Sequence, residues 1–345
     1  MCLGCLTCLG MGAGCRALGA APPQRGITAA PAVARAYDLI LDADFDRLKA
    51  ALPATCGPVP RVACLGLEAA SLWWQIQLDP DSRALDAAFL DKANQAIAEA
   101  ERWSQAEPER AEAWFYAGAA YGLRAQWKVL RQERLSAARD GKRIKTTLER
   151  ALALDPAMHD AQFGVGLYRY YAGVAPAALK FLRWLLLLPG GNREEGLAQL
   201  ERASRQGQVV GGEAAYQIHV LYLWYEDRSR DALQIVLDLQ GRYPHNPLFH
   251  HIEAEVRDVY FHDHAGSLAA SERLLALARA RQVHRADIAE VRARLNMAAQ
   301  LDALGRRDRA LAELDTILAE RPAAPAGALA RARQLRQHVT RSPDH

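Results

Sequence analysis

Imidazole and carboxylate side chains crowd into one stretch of the chain, FHHIEAE (residues 249–255), followed by His262, Asp263 and His264. These are zinc-ligand types, and His251 and Glu255 share a helix face at i, i+4. Zinc needs three or four converging ligands, however, and no His-Glu-x-x-His arrangement is present. The histidines are therefore expected at a polar, partly exposed helix end, where a charged imidazole suits the C-terminal dipole. Cys2, Cys5, Cys8 and Cys15 have spacings that invite a metal or iron–sulfur reading, but nothing around them supplies a folded cage with ordered supporting groups. Gly141-Lys142 looks like the end of a phosphate loop. Arg143 stands where Ser or Thr is needed and Ser136 where the first Gly should be, so no cradle is expected. Gly190-Gly191-Asn192 opens a helix whose N–H groups could hold an anion, as almost every helix start could. No Gly-x-Ser-x-Gly elbow occurs. The reading is a non-enzymatic chain with no catalytic residues, no cofactor and no metal.

Cys56 and Cys64 differ from the N-terminal cysteines. They flank a Gly-Pro-Val-Pro turn, close enough for a small disulfide loop, which would fit an oxidising compartment. Two buried thiols in a reducing cytosol remain the alternative.

Residues that could bind a partner fall into two groups. Arg124, Lys128 and Arg131 lie on one face at helical spacing, with Trp127 beside it, in a stretch (residues 122–145) that reads as an inserted helix. An acidic peptide or a headgroup could dock there, and a solvated helix face is the plainer reading. Aromatics cluster at Tyr168, Tyr170, Tyr171, Trp184, Tyr216, Tyr222, Trp224 and Tyr225. Most should be inter-helix core. Some, with Tyr168 and Tyr171 foremost, should line a groove, where rigid rings give contact area at low entropy cost. The most apolar window, PAALKFLRWLLLLPGG (residues 176–191), carries Lys180, Arg183 and Trp184. Its apolar run is about half the roughly 20 residues a spanning helix needs. It reads as a helix buried almost all round, or as an interfacial helix whose cations meet headgroups.

These residues need elements to position them, and the composition points to helices. The 345-residue chain is rich in alanine and leucine and poor in β-branched residues. Its net charge of +3 gives no argument for nucleic acid. From about Pro31 onward, helical periodicity recurs between short Gly, Pro, Asn or Asp breaks, with no strong hairpin signal. The pattern repeats. Ala310 and Leu314 precede Pro322 as Ala232 and Val236 precede Pro244, with Ala twelve residues before Pro in both; a third copy closes at Pro156. AEAWFYAGAAYG supplies an opening helix through Trp114, Ala117-Gly118 and Tyr121. Small residues let helices approach, and the prolines end helices because the preceding residue is driven out of the α region.

The pattern resembles the tetratricopeptide repeat, two antiparallel helices per roughly 34 residues. The resemblance implies an all-α, right-handed α-solenoid of antiparallel helix pairs, here with lengthened or inserted helices, and a concave binding face. Within it, FGVGLYRYYAGVAP and LLPGGNREEGLAQLERAS resemble the central signature of a eukaryotic tetratricopeptide family, that of the mitochondrial outer-membrane inclusion-body clearance protein. The matching residues are Gly164, Gly166, Leu188, Pro189, Asn192, Arg193, Gly196, Leu197 and Leu200, about forty residues of the chain in all. That resemblance implies protein adaptation and membrane- or lipid-associated housekeeping, not catalysis; it adds Arg193 to the candidate partner-binding residues. The chain departs from that family in its leader and in lacking its long N-terminal region.

Residues 1–30 read as a leader, either a signal peptide without a basic n-region or a disordered tail. Residues 31–338 read as the helical-repeat domain and residues 339–345 as a disordered tail. The expected function is a scaffold that binds a protein or peptide partner in its groove, in the bacterial periplasm or cell envelope, with the cytoplasm as the alternative. The alternative function is a membrane-surface or lipid-associated protein in peripheral contact through residues 176–188. No nucleic-acid partner is expected.

Overall fold

The computed structural model describes residues 25–174, 190–319 and 324–341. Among the described residues it holds fifteen helices and no strand. In chain order they are α1 (Ala30–Leu41), α2 (Phe45–Cys56), α3 (Arg61–Leu78), α4 (Asp86–Ala106), α5 (Ala111–Leu130), α6 (Arg134–Leu154) and α7 (His159–Val174). They continue as α8 (Arg193–Gln206), α9 (Gly211–Trp224), α10 (Ser229–Arg242), α11 (Pro247–Phe261), α12 (His264–Arg279), α13 (Ala286–Ala303), α14 (Arg307–Ala319) and α15 (Ala326–Arg341). Consecutive helices pack against one another along the array, so the fold is all-α and solenoid-like.

Local chemistry sets the boundaries. The side chains of Asp44, Asn192, Asn246 and Asp263 each accept a backbone N–H in the first turn of the helix that follows. At Asn192 the expected cap forms, but Glu195 does not reach back to complete a capping box; its carboxylate pairs with Arg169 instead. The Pro156 and Pro244 signals each fall two residues after a helix end, at Leu154 and Arg242, while Pro322 lies outside the described residues. The stretch 122–145 is not one inserted helix. It breaks between Leu130 and Arg134, where Gln132 takes a left-handed conformation (φ +64°) and turns the chain back on itself. The folded array also reaches beyond 31–338: Ile27 and Val339 are both buried in its cores.

Two features decide the shape. The first is close backbone approach. A Cβ on Gly196 would lie 2.6 Å from the Tyr170 nitrogen and 2.7 Å from the Gly166 oxygen, so α7 and α8 meet backbone to backbone. Leu148 of α6 fills the notches left by Gly118 of α5 and Gly164 of α7. The second is closure. Phe249 and Tyr216 pack on Trp74, with ring centroids 5.9 and 5.1 Å away, and the Tyr243 hydroxyl donates to Asp38 at 2.7 Å. Asn246 donates to the Leu41 carbonyl at 2.7 Å, and Arg285 pairs with Asp79. Residues some two hundred positions apart thus touch, and one core runs from Ile27 through Leu148 to Phe249.

Gly196→Ala should lower stability by about 1–3 kcal/mol, because the methyl group has only backbone to displace. Gly241, with open space around its Cβ position, is the control; Gly241→Ala should raise stability by about 0.4–1 kcal/mol. Denaturant unfolding of the two variants checks both signs.

Candidate functional site

Several inner helix faces are built from residues too small to fill the space they enclose. Ala119, Gly122 and Ala125 recur every three residues on α5, and Ala63, Gly66 and Ala70 follow one another at three- and four-residue spacing on α3. With α6, α7 and α9 they surround a cavity of about 1230 Å³. That exceeds the ~300–1,000 Å³ of ordinary small-molecule sites. Its wall is overwhelmingly apolar. Five large side chains that line it are also solvent-exposed, and they mark its mouth: Val129, Leu135, Tyr171, Trp224 and Tyr225. Exposed apolar side chains are here continuous with the cavity wall rather than scattered singly.

The inner helices share a register that the sequence reading missed. Glu112, Asp160 and Glu213 each stand in the first turn of their helix, α5, α7 and α9, and all three are buried. Each is followed by a fully buried alanine (Ala113, Ala161, Ala214) and, three residues on, by a ring that lines the cavity (Phe115, Phe163, Tyr216). Two of the acids are fully engaged. Glu112 accepts from the Thr28 amide and hydroxyl, both at 2.7 Å, and pairs with Arg110. Asp160 accepts the backbone amides of Gln208, Val209 and Val210 at 2.7–2.9 Å.

Glu213 is different. One oxygen accepts from the Trp74 indole at 3.0 Å and the Tyr37 hydroxyl at 3.3 Å. The other makes no hydrogen bond within normal geometry, although the Gln217 amide lies close enough to favour its charge. Burial pushes the carboxyl up to about 7, against the downward pull of Trp74, Tyr37 and Gln217. Burial likewise drives the neighbouring Tyr37 and Tyr216 hydroxyls upward and the His219 imidazole down to about 4. Three more cavity-lining residues carry buried polar atoms without a partner: the Trp73 indole N–H, the Gln77 amide nitrogen and the Tyr116 hydroxyl.

The residues singled out from the sequence divide. Tyr168 and Tyr171 line the cavity. Arg124 and Lys128 both bind the buried Asp140, at 2.7–2.9 Å. Burial pushes the Asp140 carboxyl up, but these two cations outweigh it and hold it below the usual range. Arg131 binds Asp86 and the carbonyls of Pro80 and Ser82, and Arg193 binds Glu226 at 2.6 Å. These four cations tie helices together. Lys180, Arg183 and Trp184 lie outside the described residues. Cys56 and Cys64 are joined in a disulfide across the α2–α3 turn, with Cα atoms 5.7 Å apart.

The histidine cluster is dispersed. His250 stands in the first turn of α11 rather than at a helix C-terminus; it is buried, its Nε2 on the Pro244 carbonyl, and burial pushes it down. Glu253 carries Arg257 and Arg273, and His264 faces Asp258 and Gln300. Among the described residues no group of three His, Cys, Asp or Glu side chains converges as a metal site would, and no helix is long and apolar enough to cross a membrane.

Glu213 sets a pH dependence whose sign is fixed. Its folded value, about 7, lies above the roughly 4.3 of an unfolded chain. Below the unfolded value both states are protonated and the group costs nothing. As pH rises between the two values the unfolded chain ionises first, and stability falls until the folded value is passed. Relative to Glu213→Gln, the parent should therefore lose on the order of 3 kcal/mol between about pH 4 and pH 8. Thermal melts of both proteins across that range check the difference, which other titrating groups share and so cancel. No protein-family model matches this chain, and no curated protein matches it.

Proposed function

We propose that this chain is a non-enzymatic binding protein of tetratricopeptide-like construction that holds an elongated apolar ligand inside its curled array. The observation that carries the reading is the cavity of about 1230 Å³, walled by small and apolar residues and opening through exposed aromatic ones. The sequence alone favoured a polypeptide partner in an open groove. An extended peptide brings an N–H and a C=O with every residue, and each must be paired when buried. The wall offers few groups that could pair them. A lipid-like chain brings no such demand, and burying it gains roughly 25 cal/mol per Å² of apolar surface.

An exported location fits the same picture. The Cys56–Cys64 disulfide supports an oxidising compartment such as the cell envelope. The bond closes a short loop, so Cys56→Ser with Cys64→Ser should cost about 2–3 kcal/mol of stability. Thiol titration of the chain isolated from its native compartment should find this pair oxidised; two free thiols there would remove the support for export.

Gly122 gives a direct test of the binding reading. A Cβ there would meet nothing within 4 Å, and the position faces the cavity. Gly122→Phe should keep or raise the melting temperature, since glycine is a poor helix former. It should also weaken binding of an uncharged naphthylamine dye by about tenfold or more, as the ring takes up space the dye needs. Equal dye binding by parent and variant, or none by the parent, would sink the reading.

A further inference from the structure

We infer that the mouth of the cavity is a membrane-contact surface, which docks on the headgroup layer of an anionic phospholipid bilayer and takes the apolar ligand from it. This rests on the apolar-ligand reading and names where that ligand enters. Six large apolar side chains are exposed among the described residues, and they are gathered rather than scattered. Val129, Leu135, Tyr171, Trp224 and Tyr225 line the cavity. The sixth, Val259, precedes Tyr260, whose hydroxyl lies beside the Trp224 indole. All six stand at helix ends: five in the last turn of α5, α7, α9 or α11 or just past it, and Leu135 in the first turn of α6. Large apolar side chains gathered at one opening mark an interaction surface, whereas single ones are ordinary.

The side-chain chemistry selects a bilayer. Tryptophan and tyrosine favour the headgroup level, where the ring is partly in hydrocarbon and its N–H or O–H stays hydrated. Trp224, the most exposed of the six at 70 %, is of this type, and Val129 and Leu135 add aliphatic groups for the acyl boundary. Charge agrees. In the stretches that carry the mouth residues (129–142, 168–174 and 224–230), Arg131, Asp140, Arg169, Glu226 and Arg228 are held in ion pairs. Four exposed cations there, Arg134, Arg139, Lys142 and Arg230, have no ion pair among the described residues, against two exposed acids, Glu133 and Asp227. Leu135, Arg139 and Lys142 stand at i, i+4 and i+7 on α6, so two of the cations continue the stripe that an exposed leucine begins. The positive excess suits anionic headgroups.

Continuity with the cavity favours a bilayer over a protein partner. Every methylene of an apolar ligand that crosses water must be hydrated, at a cost that grows with chain length. A mouth resting on the bilayer removes that crossing, whereas a protein seated on the same rings would stopper it. This surface is distinct from the apolar window 176–188, which lies outside the described residues.

The test is flotation of the full-length protein with two kinds of vesicle, phosphatidylcholine alone and an equal mixture of phosphatidylcholine and phosphatidylglycerol, beside naphthylamine-dye binding. The parent should bind the mixed vesicles, and bind phosphatidylcholine alone about fivefold or more weakly. Trp224→Ser combined with Leu135→Ser should weaken binding to the mixed vesicles about tenfold or more. Arg139→Glu combined with Lys142→Glu should remove the preference for the mixed vesicles and leave dye binding unchanged. Circular dichroism confirms folding, and Trp224→Ser alone, expected to lose part of the binding, serves if its double variant is not folded. Arg183→Glu combined with Trp184→Ala is the control for the window 176–188. Flotation lost in the mouth variants supports the inference whatever the control does. Flotation lost in the control alone places the membrane contact in that window and overturns the inference. A parent that binds dye but floats with neither vesicle also overturns it, while the apolar-ligand reading stands; sedimentation velocity then shows whether the mouth joins two copies of the chain. A parent that binds no dye overturns both.

Discussion

One buried carboxyl group holds the array closed. Glu213, on the ninth helix, accepts hydrogen bonds from Trp74 on the third and Tyr37 on the first. An isolated carboxylate cannot be buried among apolar rings without help, so it takes two neutral donors from helices far away in the chain and gives up part of its charge. Trp74 cannot make that bond without bringing its own fully buried ring against Tyr216 and Phe249. The N-terminal helices are thereby pressed onto the middle of the chain, and what would be an open groove becomes a cavity walled on several sides and open at its mouth. Asp38 and Asp42 add bonds to Tyr243 and His245 along the same seam.

The interior exists because the helices around it use small residues in two ways. Where a small residue faces a neighbouring helix, it brings backbones together, as at Gly166 and Gly196, or admits a leucine, as Gly118 and Gly164 admit Leu148. Where it faces inward, as at Ala119, Gly122 and Ala125, it lines the cavity, and at Gly122 no described residue comes within 4 Å of where a Cβ would stand. Close packing in the walls and emptiness at the centre thus come from the same residue types on different faces of the same helices. The buried ion pairs stiffen the walls. Asp140 binds two cations of the preceding helix, and Asp86 anchors Arg131 just where the chain reverses after Leu130. Such pairs add little net stability, but losing one partner would strand the other.

The acids at Glu112, Asp160 and Glu213 show one repeated position in three different surroundings. A repeat places a first-turn acid at equivalent points of three inner helices, and each does structural work by tying its helix to a distant segment. Asp160 and Glu213 both line the cavity, and of the three acids Glu213 alone keeps an oxygen without a hydrogen bond of normal geometry. The surroundings of a repeated position, not its identity, thus set its hydrogen bonding and charge.

The sequence by itself determined the secondary structure, because helix periodicity, capping residues and proline breaks act over a few residues: Asn192 caps as its type requires, and helices end just before Pro156 and Pro244. It also marked the inner aromatics Tyr168 and Tyr171 by their clustering. It misread the basic face, because Arg124, Lys128 and Arg131 have acidic partners supplied by other helices or across a turn that the helical pattern concealed. It gave no sign of Trp73, Gln77, Tyr116 or Glu213 as a group. A glutamate in a helix's first turn is ordinary in sequence, where it suits the dipole. Only the closure of the array, a contact between residues 139 positions apart, buries it beside the cavity and raises its carboxyl to about 7.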